Sequence, residues 1–153
     1  MSDEMAGDTI AMIEKLVEIC REGQIGYRDA AEHTETAELR EFFNRQSLER
    51  ASFAGELESE AIVLGEDNPE RTPSLANKLH RAWFDLKQKL SGNDAGILES
   101  VEAGEDHAKK QYEEAMHSKL PLNILNIVER QADSVFAAHN KVRTLRNQYK
   151  SAA

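Results

Sequence analysis

Glutamates spaced along long helices are the residues of this chain best suited to chemistry, because carboxylates from several helices can hold iron or manganese inside a bundle. The stretch LVEICREG at 16–23 has an echo in ILESVEAG at 97–104, with Glu and Gly at the same two places. A duplicated helical hairpin would aim Glu18 and Glu99 at a shared metal. The echo therefore raises the hypothesis of a carboxylate-bridged metal centre.

The remaining ligands of such a centre are missing from the sequence. A di-iron bundle takes a Glu from each of two helices and Glu-x-x-His from each of the other two. Glu49 is followed three residues later by Ser52, and Glu129 by Ala132, so neither helix supplies the histidine. Counting residues from the turns also places Glu49 and Glu129 roughly 15 Å along the bundle from Glu18 and Glu99. This distance is too long for the two pairs to share a metal.

On a helical wheel, these carboxylates point away from the core. At about 100° per residue, Glu18 lies opposite the apolar arc of the first helix and Glu99 outside that of the third. Glu129 and Asp133 point outward on the last helix. The predicted inward positions of the first and third helices are Met12, Ile13, Leu16, Cys20, Gly23, Tyr27 and Ala30, and Ile97, Val101, Gly104, Ala108, Tyr112 and Ala115.

Inward polar residues are more informative. The wheel places Glu105 near the apolar arc of the third helix, within one or two turns of mid-bundle, and Glu49 on the flank of the second. A buried carboxylate needs a cation or several donors, and Arg50 can be that cation. The hypothesis is a polar layer at the position that metals take in such bundles, formed by Gln46, Arg50, Glu105 and Gln131. The alternative left open is that Arg50 and Glu105 lie at the edge of the core and reach solvent.

Two tyrosines and the single cysteine also face inward. Inward tyrosines beside iron can be redox-active, but we expect Tyr27 and Tyr112 to be core residues that hydrogen-bond through their hydroxyls. Cys20 is expected to be an inert core thiol, since buried cysteines usually are.

The histidines and the sequence motifs give little support for an enzyme. His33 and His117 end predicted helices, where an imidazolium complements the exposed carbonyl groups. His139 lies near the inward arc of the last helix, but no carboxylate precedes it at the ligand spacing. The chain has no phosphate-binding glycine loop, no nucleophile elbow and no zinc-spaced cluster of Cys and His.

The elements that must position these residues are all helical. Apolar residues repeat with a helical period between proline, glycine and capping signals, and no stretch alternates like a strand. Four helices of about 25 residues, each roughly 37 Å long, predict a four-helix bundle. We expect one domain over 1–153. The predicted helices cover 8–33, 36–64, 94–117 and 121–149, with a shorter helix at 73–90.

The connections between the helices predict the topology. The first two helices and the last two are joined by a few residues each, so each pair must form an antiparallel hairpin. The middle connection, 65–93, is long and contains the shorter helix. The sequence therefore predicts one long crossover, which is the ferritin-like arrangement.

A second apolar stripe runs along the outer side of the second helix and consists of Leu48, Ala51, Gly55 and Ile62. An apolar surface of this kind is normally covered. The shorter crossover helix is the favoured cover, and a second subunit or a protein partner is the alternative.

Composition limits the partners and the location. With 19 Lys and Arg against 28 Asp and Glu, the formal charge of -9 opposes binding to nucleic acid or anionic lipid. No apolar run approaches the roughly 20 residues of a membrane span. The lone cysteine cannot form an internal disulfide, and the first residues, MSDEMAG, do not resemble a signal peptide. We therefore expect a soluble cytoplasmic protein.

Four runs of the chain resemble a bacterial ferritin-like family that is catalogued as a domain of unknown function and is similar in fold to the stress-associated YciE and YciF proteins. The runs are ICREGQIGYRDAAEH at 19–33, LANKLHRAWFDLKQKLSG at 75–92, ESVEAGEDHAKKQYEEAM at 99–116 and VERQADSVFAAHNKVRTLR at 128–146. The resemblance implies a fold and no established reaction. The resemblance implies iron chemistry only through the wider ferritin-like superfamily.

Two functions remain open at the level of sequence. The first is a non-catalytic, stress-associated binding or assembly module without a cofactor. The alternative is a divergent ferritin-like metalloprotein that binds iron or manganese through Glu105 and Glu49. The absence of both Glu-x-x-His motifs favours the first function.

Overall fold

The computed structural model describes residues 2–66 and 93–152, which form four long α-helices. The predicted bounds of the second and third helices are confirmed to within one residue, whereas the first begins earlier and the last ends later than predicted. The predicted helix at 73–90 lies outside the described residues. The helices are α1 (Asp3–His33), α2 (Ala37–Val63), α3 (Asp94–Met116) and α4 (Leu122–Ala152).

Helix α1 begins before its apolar repeat does because its first turn is capped. Ser2 Oγ accepts a hydrogen bond from the Met5 N–H at 3.2 Å, which satisfies one of the free donors of the helix terminus. Asp3 and Glu4 place negative charge in the same turn, where it complements the helix dipole.

Helix α2 ends in a left-handed glycine. Gly65 has φ of +110°, a conformation that residues with a side chain rarely adopt. The Gly65 N–H donates to the Ile62 carbonyl at 3.0 Å, and the Glu66 N–H donates to the Ala61 carbonyl at 3.0 Å. These two bonds form a Schellman motif, which stops the helix and satisfies two of its last carbonyl groups.

The helices form two antiparallel hairpins, α1 with α2 and α3 with α4, and α1 packs against α3. The Asp94 carboxylate at the start of α3 accepts hydrogen bonds from Thr34 Oγ1 at 2.7 Å and Thr36 Oγ1 at 2.5 Å. Helix α3 therefore begins at the end of the bundle where α1 and α2 are joined, and runs antiparallel to α1. The chain between α2 and α3 connects opposite ends of the bundle, which confirms the ferritin-like crossover.

The buried apolar side chains form two clusters along the bundle axis. The proximal cluster, next to the α1–α2 turn, consists of Tyr27, Ala30, Ala31, Leu39, Phe42, Phe43, Ile97, Leu98, Val101 and Val142. The distal cluster consists of Ile13, Leu16, Val17, Ile19, Cys20, Phe53, Ala54, Leu57, Ala61, Ala108, Tyr112, Ala115, Ile124, Val128, Ala132 and Val135. Polar residues lie between the two clusters.

One inward position predicted on α3 is wrong. Gly104 is exposed, while Glu105 next to it is buried. A helix that winds around its neighbours drifts by about 20° per heptad against a fixed wheel of 100° per residue, and such a drift turns a glycine at the edge of the arc to the surface. In the part of the chain that the structure describes, no helix combines the length and the apolar character that crossing a membrane requires.

Candidate functional site

An ion pair between Arg50 of α2 and Glu105 of α3 lies inside the bundle, between the two apolar clusters. Arg50 Nη2 donates to Glu105 Oε2 at 2.7 Å, and the two residues are 1% and 2% exposed. The pair is therefore internal and does not reach solvent at the edge of the core. Each charge compensates the other, and removing either partner would leave the remaining charge buried and unpaired.

Helix α1 provides the space for the Arg50 side chain at a glycine. A Cβ atom on Gly23 would lie 3.1 Å from Arg50 Nη1 and 3.3 Å from Arg50 Cγ. One turn further along α1, the Tyr27 ring lies under the guanidinium, with its centroid 5.5 Å from Arg50 Cζ. Of the two repeated residues of the motif LVEICREG, Gly23 therefore contributes to this site, and Glu18 is not among the site's contacts. Sequence reasoning missed this role, although it placed Gly23 on the inward arc.

Electrostatics keep this site in one protonation state. Burial, the largest single influence, lowers the pKa of Arg50, but the neighbouring groups, led by the Glu105 carboxylate, together raise that pKa above its ordinary value. Burial, and next the negative charge of Glu105, raise the pKa of Tyr27 well above its ordinary value. The guanidinium therefore stays charged and the phenol stays neutral at physiological pH.

A second polar network joins one residue from each of the four helices. Cys20 Sγ and Tyr112 Oη lie 3.0 Å apart, and Tyr112 Oη donates to Gln131 Oε1 at 2.7 Å. Gln131 Nε2 donates to Glu56 Oε1 at 2.8 Å. Glu56 in turn pairs with Arg130 at the surface. Hydrogen bonds thus run from the core thiol to the outside of the bundle.

This network changes the interpretation of two predicted residues. The hypothesis placed Gln131 in one layer with Arg50. In the structure Gln131 instead forms hydrogen bonds with Tyr112 and Glu56, at the level of the distal cluster. Burial raises the pKa of Cys20 to about 11, although its hydrogen bond to Tyr112 opposes the shift. The thiol is therefore protonated at physiological pH, and the thiolate needed for reactivity does not form there.

Gln46 and Glu49 are half-buried on α2, beside Arg50. Within residues 2–66 and 93–152, no three His, Cys, Asp or Glu side chains lie close enough together to hold a metal ion. The one carboxylate of the layer that is fully buried is already paired with a guanidinium, whose charge repels a divalent cation. These residues do not fit the di-metal centre that the fold family implies.

The carboxylates of the opening hypothesis lie apart from this layer. Glu99 is exposed and pairs with Lys150 at 3.7 Å. Glu129 and Asp133 are exposed as well, and Glu18 is half-buried rather than fully turned to water. The structure does not bring these groups together.

The three histidines noted in the sequence contact groups of the helices themselves. His33 Nδ1 donates to the Asp29 carbonyl and His117 Nδ1 to the Glu113 carbonyl, both at 2.7 Å. His139 is buried, and its Nε2 lies 2.5 Å from Asp106 Oδ1. No pattern in the sequence predicts this contact, because the carboxylate comes from the neighbouring helix.

The outer stripe of α2 is partly exposed. Leu48 is 73% and Ile62 is 56% exposed, while Ala51 and Gly55 are half-buried. The predicted crossover helix, which was the favoured cover, lies outside the described residues.

Comparison with known proteins yields one family and a fold. Residues 8–118 match a family described as a domain of unknown function, DUF2383. A solved structure of a mutant of Dps1 from Mycobacterium smegmatis superposes with a TM-score of 0.80 at 15% identity, covering 95% of this chain and 99% of that chain. At this identity the likeness shows the fold alone. No curated protein matches the chain.

Proposed function

Because the chain belongs to the DUF2383 family and has the ferritin-like fold, we propose that it is a metal-independent member of that fold, which acts by binding or assembly without catalysing a reaction. The observation that carries the proposal is the internal Arg50–Glu105 pair. In this bundle the cation that neutralises the central carboxylate is supplied by the protein itself.

The alternative is a metalloprotein that binds iron or manganese through Glu105 and Glu49. Arg50 argues against it on two grounds. Its guanidinium occupies the hydrogen-bonding direction of Glu105, and a divalent ion placed beside it would meet like charge in a medium of low dielectric constant. Breaking the ion pair to free Glu105 would also leave Arg50 buried and uncompensated.

Metal content distinguishes the two functions. The protein is produced in medium supplemented with iron and manganese, purified without chelator or affinity metal, and subjected to elemental analysis beside Glu105→Ala. We expect far less than one metal per chain in both proteins. About one or two metals per chain, as a di-metal bundle would hold, and their loss in Glu105→Ala would contradict the proposal.

The partner surface that we propose is the outer stripe of α2, which would pair with a second copy or with another protein. An exposed apolar stripe of this kind is typical of interfaces. If the chain forms a homodimer through it, light scattering should give about twice the 17.2 kDa of one chain. Leu48→Glu should then yield monomers. Leu122→Glu, at an equally exposed leucine of α4, is the control that should leave the mass unchanged.

We further propose that the protein acts in the cytoplasm under stress. The location is supported by the lone buried cysteine, because a reducing compartment keeps thiols free. The association with stress is supported by the resemblance to YciE and YciF. Protein abundance before and after osmotic and oxidative stress tests it, and unchanged abundance in both would contradict it.

A further inference from the structure

Five positions on the outer side of α2 form a pattern that reads the same in both directions. The outer stripe consists of Leu48, Ala51, Gly55 and Ile62, and the exposed Ser59 lies on the same face between the last two. The successive spacings are 3, 4, 4 and 3 residues. At about 100° per residue, all five positions fall within an arc of about 80°. A large aliphatic residue stands at each end, small residues follow inward, and a glycine lies at the centre.

This face is open and can be covered without losing a hydrogen bond. The aliphatic residues at its two ends, Leu48 and Ile62, are 73% and 56% exposed. A Cβ atom on Gly55 would meet nothing within 4 Å, so the centre of the face is accessible. Ser59 Oγ donates to the Gly55 carbonyl at 3.0 Å, and its hydroxyl is therefore already satisfied within the helix.

A pattern with this symmetry fits a second copy of the same chain. In a two-fold interface the same patch is used on both subunits, so residue i contacts residue j and j contacts i. When two α2 helices pack antiparallel with Gly55 facing Gly55, Leu48 of each copy meets Ile62 of the other. Ala51 then meets Ser59 of the other copy. The missing side chain at the centre allows a close approach, because the distance between packed helices depends on the side chains at the contact.

The charges near the ends of the face are complementary in the same arrangement. Arg45 and Glu66 lie 10 residues before and 11 residues after Gly55. Antiparallel packing therefore brings Arg45 of each copy to the level of Glu66 of the other, at both ends of the contact. In a parallel pair Arg45 would face Arg45, which like-charge repulsion disfavours. Glu56, the charge next to the centre, is already paired with Arg130 of its own chain.

We propose that the outer stripe of α2 binds the outer stripe of a second copy, with the two α2 helices antiparallel across a two-fold axis at Gly55. This contact rests on the proposed function, in which the outer stripe is a partner surface, and it specifies both the partner and the register of the pair. The occupant of the surface is then the protein itself.

Disulfide cross-linking of the whole chain tests the register, since the native Cys20 is 1% exposed and gives little background. Gly55→Cys should form a linked dimer on mild oxidation, because the two thiols meet at the axis. Leu48→Cys and Ile62→Cys should each fail to link to themselves, since identical positions lie roughly 21 Å apart, but should link when mixed. Gly104→Cys is the control that should not link, because Gly104 is an equally unobstructed helical glycine on α3.

Circular dichroism of each variant verifies that the helices are retained, and light scattering of the parent chain over a range of concentrations gives its mass. Linking of Gly55→Cys and of the mixture, with no linking of the other variants, would support the proposal. Self-linking of Leu48→Cys would reveal a parallel or shifted pair and overturn it. A single-chain mass at every concentration without any link would also overturn it and leave another protein as the occupant. Neither failure changes the metal content by which the proposed function is tested.

Discussion

The Arg50 side chain extends from α2 and is held by groups on two other helices. Gly23 leaves room for its aliphatic stem and one terminal nitrogen, Tyr27 presents its ring face, and Glu105 supplies the counter-charge. Each contact depends on a different chemical property: the absence of a side chain, a π-system and a carboxylate. A lysine at this position would keep the charge but lose the planar group that fits against Tyr27.

Gly23→Ala measures how closely α1 approaches Arg50, and Gly104→Ala is its control. Both glycines are helical, but a Cβ on Gly104 meets nothing within 4 Å, whereas one on Gly23 approaches Arg50 to 3.1 Å. We expect Gly104→Ala to raise the free energy of unfolding by about 0.5–1 kcal/mol through helix propensity alone. Gly23→Ala should lower it instead, because Arg50 must move while Glu105 holds it.

Urea denaturation of the two variants and the parent protein provides the comparison. Equal stabilisation by both alanines would show that Arg50 moves without cost, and would contradict the close approach at Gly23.

The Cys20 thiol predicts a specific response to alkali. Its pKa is raised from the ordinary 9.0 to about 11 by burial, so the folded chain binds this proton more tightly than the unfolded chain does. The resulting stabilisation is fully present below about pH 9 and is lost as the pH rises toward 11. The stability advantage of the parent over Cys20→Ala should therefore fall across this window. A pH-independent difference, measured by urea denaturation at both ends of it, would contradict the prediction.

At the level of single residues, sequence reasoning identified buried candidates but not all of their partners. The wheel placed Arg50 and Glu105 near the core because their neighbours in the helical repeat are apolar. It could not assign Gln131 to Tyr112 and Glu56, because a wheel describes one helix and carries no information on its level against another. The role of Gly23 could not be predicted for the same reason, since it depends on the level of α1 against α2.

The helices themselves were predictable because their ends carry local chemistry. Gly65 stops α2, and Asn93 caps α3 by accepting from the Gly96 N–H at 3.0 Å. The long crossover followed from the lengths of the connections. The attachment of the α1–α2 turn to α3 could not be predicted in this way, since the contacts of Asp94 with Thr34 and Thr36 join residues about 60 positions apart.

Asp94→Ala tests this attachment. Its carboxylate accepts from two threonine hydroxyls and, at 3.4 Å, from the Glu35 N–H, so removing it leaves several donors without a partner. We expect the free energy of unfolding to fall by about 1–3 kcal/mol, with faster amide exchange in the α1–α2 turn. Asp133→Ala, at an exposed position of α4, should change stability by less than about 0.5 kcal/mol. Equal effects of the two substitutions would show that Asp94 does not hold the turn.

At the scale of the whole molecule, two apolar clusters are separated by one charged contact. Their side chains come from helices of both hairpins, so each cluster holds the hairpins together. Among residues 2–66 and 93–152, the Arg50–Glu105 pair is the ion pair that links α2 to α3 between the clusters. Sliding one hairpin along the other by a helical turn would separate this pair by about 5 Å, so it favours a single register.

A double-mutant cycle at the pair tests how the bundle depends on it. Arg50→Met or Glu105→Met alone should lower the free energy of unfolding by about 3–5 kcal/mol, because each leaves one buried charge unpaired. The double variant should lose much less than the sum, since two apolar side chains of similar length fill the same space. If a single variant does not fold, Glu105→Gln, which keeps the shape and an acceptor, replaces it in the cycle. Additive losses would show that the two residues act independently.

The burial of Arg50 and Glu105 also constrains how this sequence can diverge. A lineage that replaces either residue first passes through a protein with an uncompensated internal charge, which selection for a folded chain removes. The two positions are therefore expected to change together or not at all, and homologous sequences should fall into those that carry both charges and those that carry neither.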